Sequence, residues 1–155
     1  MNNKYHYLYN NLIKLSRNKT LYKSFVKQDT FSDRLIFFLI HFAFFVKNYK
    51  NEENTKILQD IYDFIFRQLE LSIREIGYGD QSINKKMKDY INLFHDILSE
   101  IHFWDTISIT KKLDLISKYL SDFSDLDDII NYFDDFNDNL SKKTLNYFIK
   151  SVIKP

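Results

Sequence analysis

Cysteine is absent from this chain of 155 residues, which excludes a disulfide framework, a thiolate nucleophile and any metal site built on thiolate. A reducing compartment is compatible with that absence. Proline occurs once, as the terminal Pro155, and glycine twice, at Gly77 and Gly79. Almost nothing in the interior would break a helix, and turns fall to Asn, Asp, Ser and Thr. Ala43 is the only alanine, so core volume has to come from rings, 15 Phe and 11 Tyr among them. The length suits one domain that closes most of its apolar surface. The expectation is an all-α, single-domain bundle over residues 1–155, with about six to seven helices.

Enzyme signatures are also missing. There is no glycine-rich phosphate loop, no G-x-S-x-G elbow, and no Glu-x-x-His pair of the kind a di-iron bundle carries. The N-terminus "MNNKYHYLYNNLIKLSRN" lacks the sustained apolar core and small-residue cleavage site of a signal peptide. The most apolar run, "LIFFLIHFAFFV" from Leu35 to Val46, is twelve residues long and interrupted by His41, against the roughly 20 that a spanning helix needs. It reads as a buried central helix, with peripheral membrane contact as the alternative.

Net charge is +1, but its distribution is uneven: residues 1–50 hold nine Lys/Arg against two Asp/Glu, 51–104 six against ten, and 105–155 seven against nine. A basic N-terminal third suits approach to an anionic surface such as lipid headgroups or ribosomal RNA; equally, such charges are solvated faces. No specific nucleic-acid motif accompanies them.

Start signals and period place the helices. One runs from about Tyr5 to Asn18. Thr30 followed by Asp33 has capping-box spacing ahead of the apolar run, which should end between Asn48 and Asn54. From Thr55 to Ile76, an apolar stripe recurs at Ile57, Ile61, Ile65, Leu69, Ile73 and Ile76. From Ser82 to about Trp104, a second stripe recurs at Ile83, Met87, Tyr90, Ile91, Phe94, Leu98 and Ile101. Three shorter helices follow, in "SITKKLDLISKYL", "SDLDDIINYFDDF" and "SKKTLNYFIKSVI", each opened by Ser.

Isolated polar residues read mainly as structural. His41 lies in the most apolar helix with Arg34 seven residues earlier on roughly the same face, a polar pair at the core. His95 and His102 are two turns apart, too far to share a metal without ligands from elsewhere. The tract from Asp122 to Asp138 has seven aspartates and no Lys or Arg; its apolar spacing turns the charges to water, and a calcium-loop pattern is missing. No metal or cofactor is expected.

"IREIGYGDQSINKKMK", Ile73 to Lys88, holds both glycines. Gly77 suits the left-handed residue that ends a helix, Gly79 the turn, and Asp80 or Ser82 the next cap. Such a corner holds two long helices antiparallel. Arg74 and Glu75 on one side, with Asp80, Lys85, Lys86 and Lys88 on the other, concentrate charge beside it, as a docking surface would.

Together with "DTFSDRLIFFLIHF", Asp29 to Phe42, this stretch resembles the ubiquinol–cytochrome c chaperone family, assembly factors of the cytochrome bc1 complex. An Asp-Thr pair precedes an Arg that opens an apolar helix, with a His seven residues on: Asp29, Thr30, Arg34 and His41. The second block matches at Arg74, Glu75, Ile76, Gly77, Gly79, Asp80, Ile83, Lys85, Met87 and Lys88. Tyr9, Arg17 and Tyr22 fit the N-terminal pattern, so the resemblance spans about Tyr9 to Phe94, with a looser helical part over 105–155. It implies an all-α, non-enzymatic chaperone that binds newly made cytochrome b. The partner surface would comprise Arg74, Glu75, Tyr78, Asp80, Lys85, Lys86 and Lys88, with a ribosome or a small helical protein as further partners. The match begins almost at the first residues, which leaves no room for a transit peptide, and the implied location is the cytoplasm at the inner face of a bacterial inner membrane.

Two other classes compete. A bundle could hold quinone, lipid or haem among its aromatics, with His41 or His95 as a haem ligand. An enzyme would need Arg34, His41 and Glu75 to converge in a pocket.

Overall fold

The computed structural model describes residues 4–17, 31–120 and 126–150, the side chains of 31–33 apart. Among them are seven α-helices: α1 His6–Ser16, α2 Phe31–Tyr49, α3 Thr55–Ile76, α4 Asp80–Ile101, α5 Ile109–Tyr119, α6 Leu126–Ser141 and α7 Leu145–Lys150, with a 3-10 turn at Trp104–Thr106. No strand occurs among the described residues. The proposed Thr30–Asp33 cap, Asp29, Tyr22, and Asp122 and Asp125 of the acidic tract lie outside what is described.

The helix that is apolar all round takes the centre, because it has no polar face to give to water. Leu35 and every residue from Phe37 to Phe45 are buried, and α2 packs against α1, α4 and α6. Outer pairings are α1 with α7, α3 with α4, and α5 with α6. Rings fill the core in offset and edge geometries. Phe42 stacks on Phe94 at 4.9 Å, Phe44 stacks on Phe133 at 5.3 Å, and Phe44 meets Trp104 edge-on at 5.1 Å. Such pairs add about 0.5–1.5 kcal/mol each beyond the area they bury.

The stripes of α3 and α4 face this core, with Ile61, Ile65, Leu69 and Ile73 buried on α3 and Ile83, Met87, Phe94 and Ile101 on α4; Ile57, Tyr90, Ile91 and Leu98 are half-buried at its margin, and Ile97, outside the expected stripe, is buried. The end of the α3 stripe departs from expectation. Ile76 is 53% exposed because it is the last residue of the helix, with no following turn to shelter it. Helix α4 starts at Asp80, two residues earlier than expected, and ends at Ile101; Trp104 belongs to the 3-10 turn.

Ser108 caps α5, its hydroxyl accepting the Lys111 N–H at 3.3 Å. Thr144 does the same for α7, accepting from Tyr147 N–H at 3.1 Å, so that helix opens on Thr144 and not on Ser141. Helix α6 is fastened to its surroundings by polar side chains. Asp134 accepts from Trp104 Nε1 at 2.8 Å and from Lys112 Nζ at 2.9 Å, while the same ammonium lies 4.8 Å from the indole centre. This aspartate therefore does not simply face water; the apolar period of α6 could not reveal a partner 30 residues away. Buried Asn137 accepts from Asn48 Nδ2 at 2.8 Å and donates to Asp105 at 2.7 Å, and Lys47 donates to Asp105 at 2.6 Å. The Lys47 ammonium holds the Asp105 carboxyl below its usual range.

Candidate partner-binding corner

Helix α3 ends where Gly77 turns into the left-handed region, φ 104° and ψ 16°, its N–H donating to Arg74 O at 3.0 Å. An L side chain is strained at that φ, so the position favours glycine on backbone grounds alone. Beyond its own chain neighbours, no atom lies within 4 Å of where a Cβ would stand. Gly79 differs: at φ −73° and ψ 162° its backbone is ordinary extended chain, again with open space at Cβ. It is the cap residue of α4, its carbonyl accepting the Ile83 N–H at 2.9 Å, in the place expected of Asp80 or Ser82. The turn thus requires one glycine, not two.

Asp80 is the first residue of α4, where a carboxylate meets the positive end of the helix. It also accepts from Arg74 Nη1 at 2.7 Å across the turn, and Arg74 Nη2 lies 3.9 Å from Glu70. The hydrogen bond to Asp80 raises the Arg74 pKa further above its ordinary value. All these groups are wet, so the pair orients the corner more than it stabilises it. Lys86 places its ammonium 4.5 Å from the centre of the Tyr78 ring.

Every residue from Arg74 to Ser82 is exposed. The structure brings Arg74 and Asp80 together as one pair and Lys86 and Tyr78 as another. Glu75, Lys85 and Lys88 face solvent and, among the described residues, form no ion pair. Lys85 and Lys88, three apart, share the outer face of α4 with Gln81. The surface also contains a residue the sequence reading missed, Ile76, which stands exposed beside Tyr78 in the chain. The signal was available: the last member of an apolar stripe, directly before a helix-ending glycine, has no following turn to shelter it.

Arg34 and His41 are not a pair at the core. His41 is wholly buried, while Arg34 is exposed on the first turn of α2. His41 donates from Nδ1 to the Phe37 carbonyl at 2.6 Å, which leaves Nε2 to accept from Tyr132 O–H at 2.7 Å. Burial lowers its pKa to about 4, opposed in part by the Phe37 carbonyl. A neutral ring with both nitrogens engaged has none to offer a haem iron or a substrate, and Glu75 stands at the exposed corner. His95 is exposed and bonded through Nε2 to Tyr62 OH at 3.1 Å. It borders a groove of about 350 Å³ with Val46, Leu58, Tyr62, Phe94 and Leu98.

The arrangement is an all-α aromatic bundle that presents a charged, exposed corner. The family model described as ubiquinol-cytochrome C chaperone matches residues 23–102, more than half of the chain, and the chain belongs to that family. The matched segment begins later than Tyr9 and runs past Phe94 to the end of α4, enclosing the whole corner. Neither a curated protein nor a solved structure matches the chain significantly. No helix among the described residues is long and apolar enough to cross a membrane.

Proposed function

We propose that this protein is a non-enzymatic chaperone for assembly of ubiquinol–cytochrome c reductase, that its client is newly made cytochrome b, and that the α3–α4 corner makes the contact. The observation that carries the reading is the continuous exposure of Arg74 to Ser82 inside the segment matched by the family. A membrane-protein client offers apolar helices joined by charged loops. The corner offers exposed groups of both kinds, apolar in Ile76 and Tyr78 and charged in Glu75, Lys85 and Lys88. A chaperone must also release its client, which favours an exposed, salt-screened surface over a deep apolar interface.

The test is capture of nascent cytochrome b by the parent protein and by a Lys85→Glu, Lys88→Glu double variant. Capture should fall at least about tenfold with an unchanged helical spectrum, the loss expected when two rim charges turn repulsive. Unchanged capture would remove the corner from the reading. Normal cytochrome b levels and bc1 activity in a strain lacking the gene would remove the client.

A second reading, a bundle that holds a hydrophobic ligand, is favoured by the groove beside His95, whose volume of about 350 Å³ lies within the usual range for small-molecule sites. A protein that purifies colourless and takes up none of added haem, quinone or lipid excludes it.

A further inference from the structure

Helices α1 and α7 pack against each other, and the chain that forms them is basic throughout. Residues 4–17 and 141–150 hold Lys4, Lys14, Arg17, Lys142, Lys143 and Lys150 with no Asp or Glu, in a protein that has 21 acidic residues and a net charge of +1. All six cations are exposed, and among the described residues none of them forms an ion pair. At this pairing lies an open cleft of about 790 Å³. Lys4, His6, Tyr7 and Asn10 line it from the α1 segment, and Asn146 and Lys150 from α7. Buried Tyr5 and Ile149 and half-buried Ile57 add apolar lining. Among the described residues, no carboxylate lines it. Residues 4 and 150 come from opposite ends of the chain, so their place at one cleft is a product of the fold.

The cleft also presents rings. Tyr7 is 55% exposed and has no aromatic neighbour among the described residues. His6 is exposed yet fixed, its ring edge-on to Phe64 at 5.3 Å. Beside the cleft, Tyr147 is 40% exposed and carries the Lys143 ammonium 4.7 Å from its ring centre. On α1, the exposed residues Tyr7, Asn10, Lys14 and Arg17 recur three or four apart, so cations continue along the same side of the helix beyond the cleft. Open rings beside a run of unpaired cations are the two halves of a single-strand site, where bases stack on aromatic faces and phosphates follow the positive track. A small anion would use neither the rings nor the length of the track. A duplex hides the faces of its bases, which leaves Tyr7 nothing to stack on.

We infer that the α1–α7 cleft binds single-stranded RNA without sequence preference. Tyr7 and His6 stack on unpaired bases, Lys4 and Lys150 take phosphates, and Lys14 and Arg17 extend the track. The side-chain amides of Asn10 and Asn146 each offer donors and an acceptor, which suits a 2′-hydroxyl that both donates and accepts and so favours RNA over DNA. Except for Ile57, every residue lining the cleft falls outside the segment 23–102 matched by the family. The site is therefore independent of that match and of the corner proposed for the client.

The test is fluorescence anisotropy of a short labelled oligouridylate titrated with the full chain over a series of salt concentrations. The oligouridylate should saturate, and bind at least about tenfold more tightly than duplex RNA of the same length and more tightly than the matching oligothymidylate. Lys4→Gln, Lys150→Gln should make the fall of log affinity with log salt shallower by about 1.4, the share of two phosphate contacts on a single strand. Lys85→Gln, Lys88→Gln removes the same charge from the α3–α4 corner and should leave that slope unchanged. Tyr7→Ala, at an exposed position that leaves the helical spectrum intact, should weaken binding at least about fivefold, and Tyr7→Phe, which keeps the ring, should retain it. Failure of the oligouridylate to saturate at low salt overturns the site, as does an equal change of slope in the two lysine pairs. Unchanged affinity in Tyr7→Ala overturns the single-strand reading in favour of a mere polyanion surface, and equal affinity for oligothymidylate overturns the assignment to RNA. Binding to phosphatidylglycerol vesicles that is lost in Lys4→Gln, Lys150→Gln, without binding of the oligouridylate, overturns it in favour of an anionic membrane.

Discussion

His41 of the central helix and Tyr132 of α6 share a 2.7 Å hydrogen bond, the tyrosine donating to Nε2 among the rings of Phe133 and Phe136. The bond exists because Phe37 O already takes the Nδ1 proton, which sets the tautomer. A histidine in an apolar helix is thereby converted from a liability into a cross-link between two elements 91 residues apart.

Its pKa gives a stability slope with a defined sign. The folded-state value of about 4 is below the ordinary 6.5, chiefly through burial, so the unfolded chain takes up the proton first as pH falls. The contribution is complete above about pH 6.5 and declines down to about pH 4, by about 2 kcal/mol between pH 7 and pH 5. Urea unfolding at those two pH values should show that much more loss in the parent than in His41→Leu. The variant should be less stable at pH 7 by about 1–3 kcal/mol, because the Tyr132 hydroxyl loses its acceptor. Equal slopes in the two proteins would show that His41 is charged or solvated when folded.

The two glycines should respond oppositely to substitution. Gly77→Ala places a Cβ on a left-handed residue and should destabilise by about 1–2 kcal/mol, although no neighbour obstructs it. Gly79→Ser puts a capping side chain on a backbone that already has cap geometry, φ −73° and ψ 162°, and should stabilise by a few tenths of a kcal/mol. Thermal unfolding of both variants decides this. A loss of stability at both positions would mean that Gly79 is also held for its conformational freedom.

These contrasts show which parts of the molecule can be read from its sequence. The α3 bounds, Thr55 to Ile76, and the left-handed Gly77 follow from period and local backbone chemistry, which act within a few residues. The all-α architecture follows from the same signals. The Arg34 and His41 pairing failed because a helical face says nothing about where the bundle is thick enough to bury it. Arg34 is in the first turn of α2 and His41 in the middle, so one is exposed and the other buried. Asp134 and Asn137 were illegible for another reason: their partners, Trp104, Lys112, Asn48 and Asp105, come from other elements. At the corner, the charged residues were evident, but the pairing of Arg74 with Asp80 and of Lys86 with Tyr78 required coordinates.

Trp104 is the single tryptophan, so its link to Asp134 has its own optical probe. Asp134→Ala removes the acceptor of the indole N–H and the counter-charge of Lys112, whose side chain is 14% exposed. The expected loss is about 1–3 kcal/mol, with a red-shifted emission as water reaches the indole. Asp134→Asn keeps an acceptor and should retain most of the stability. Unchanged emission in both variants would show that the packing of Trp104 against Phe44, not the polar contact, holds the ring.

The proposed client surface offers two kinds of contact that salt would separate. Lys85 and Lys88 act through charge, and a screening length near 8–10 Å at physiological ionic strength weakens exposed charges progressively as salt rises. Ile76 and Tyr78, 53% and 43% exposed, act by burying apolar area, which salt leaves nearly unchanged. Capture of cytochrome b should therefore fall with salt in the parent protein. In Lys85→Glu, Lys88→Glu it should start lower and rise with salt as the repulsion is screened, and in Ile76→Ser, Tyr78→Ala it should fall as steeply as in the parent. Replacing Tyr78 also frees the Lys86 ammonium from the ring 4.5 Å away, so that second variant should keep its electrostatic attraction while losing affinity. A parent whose capture does not change with salt would assign recognition to the apolar pair alone and leave the lysines as solvated charges.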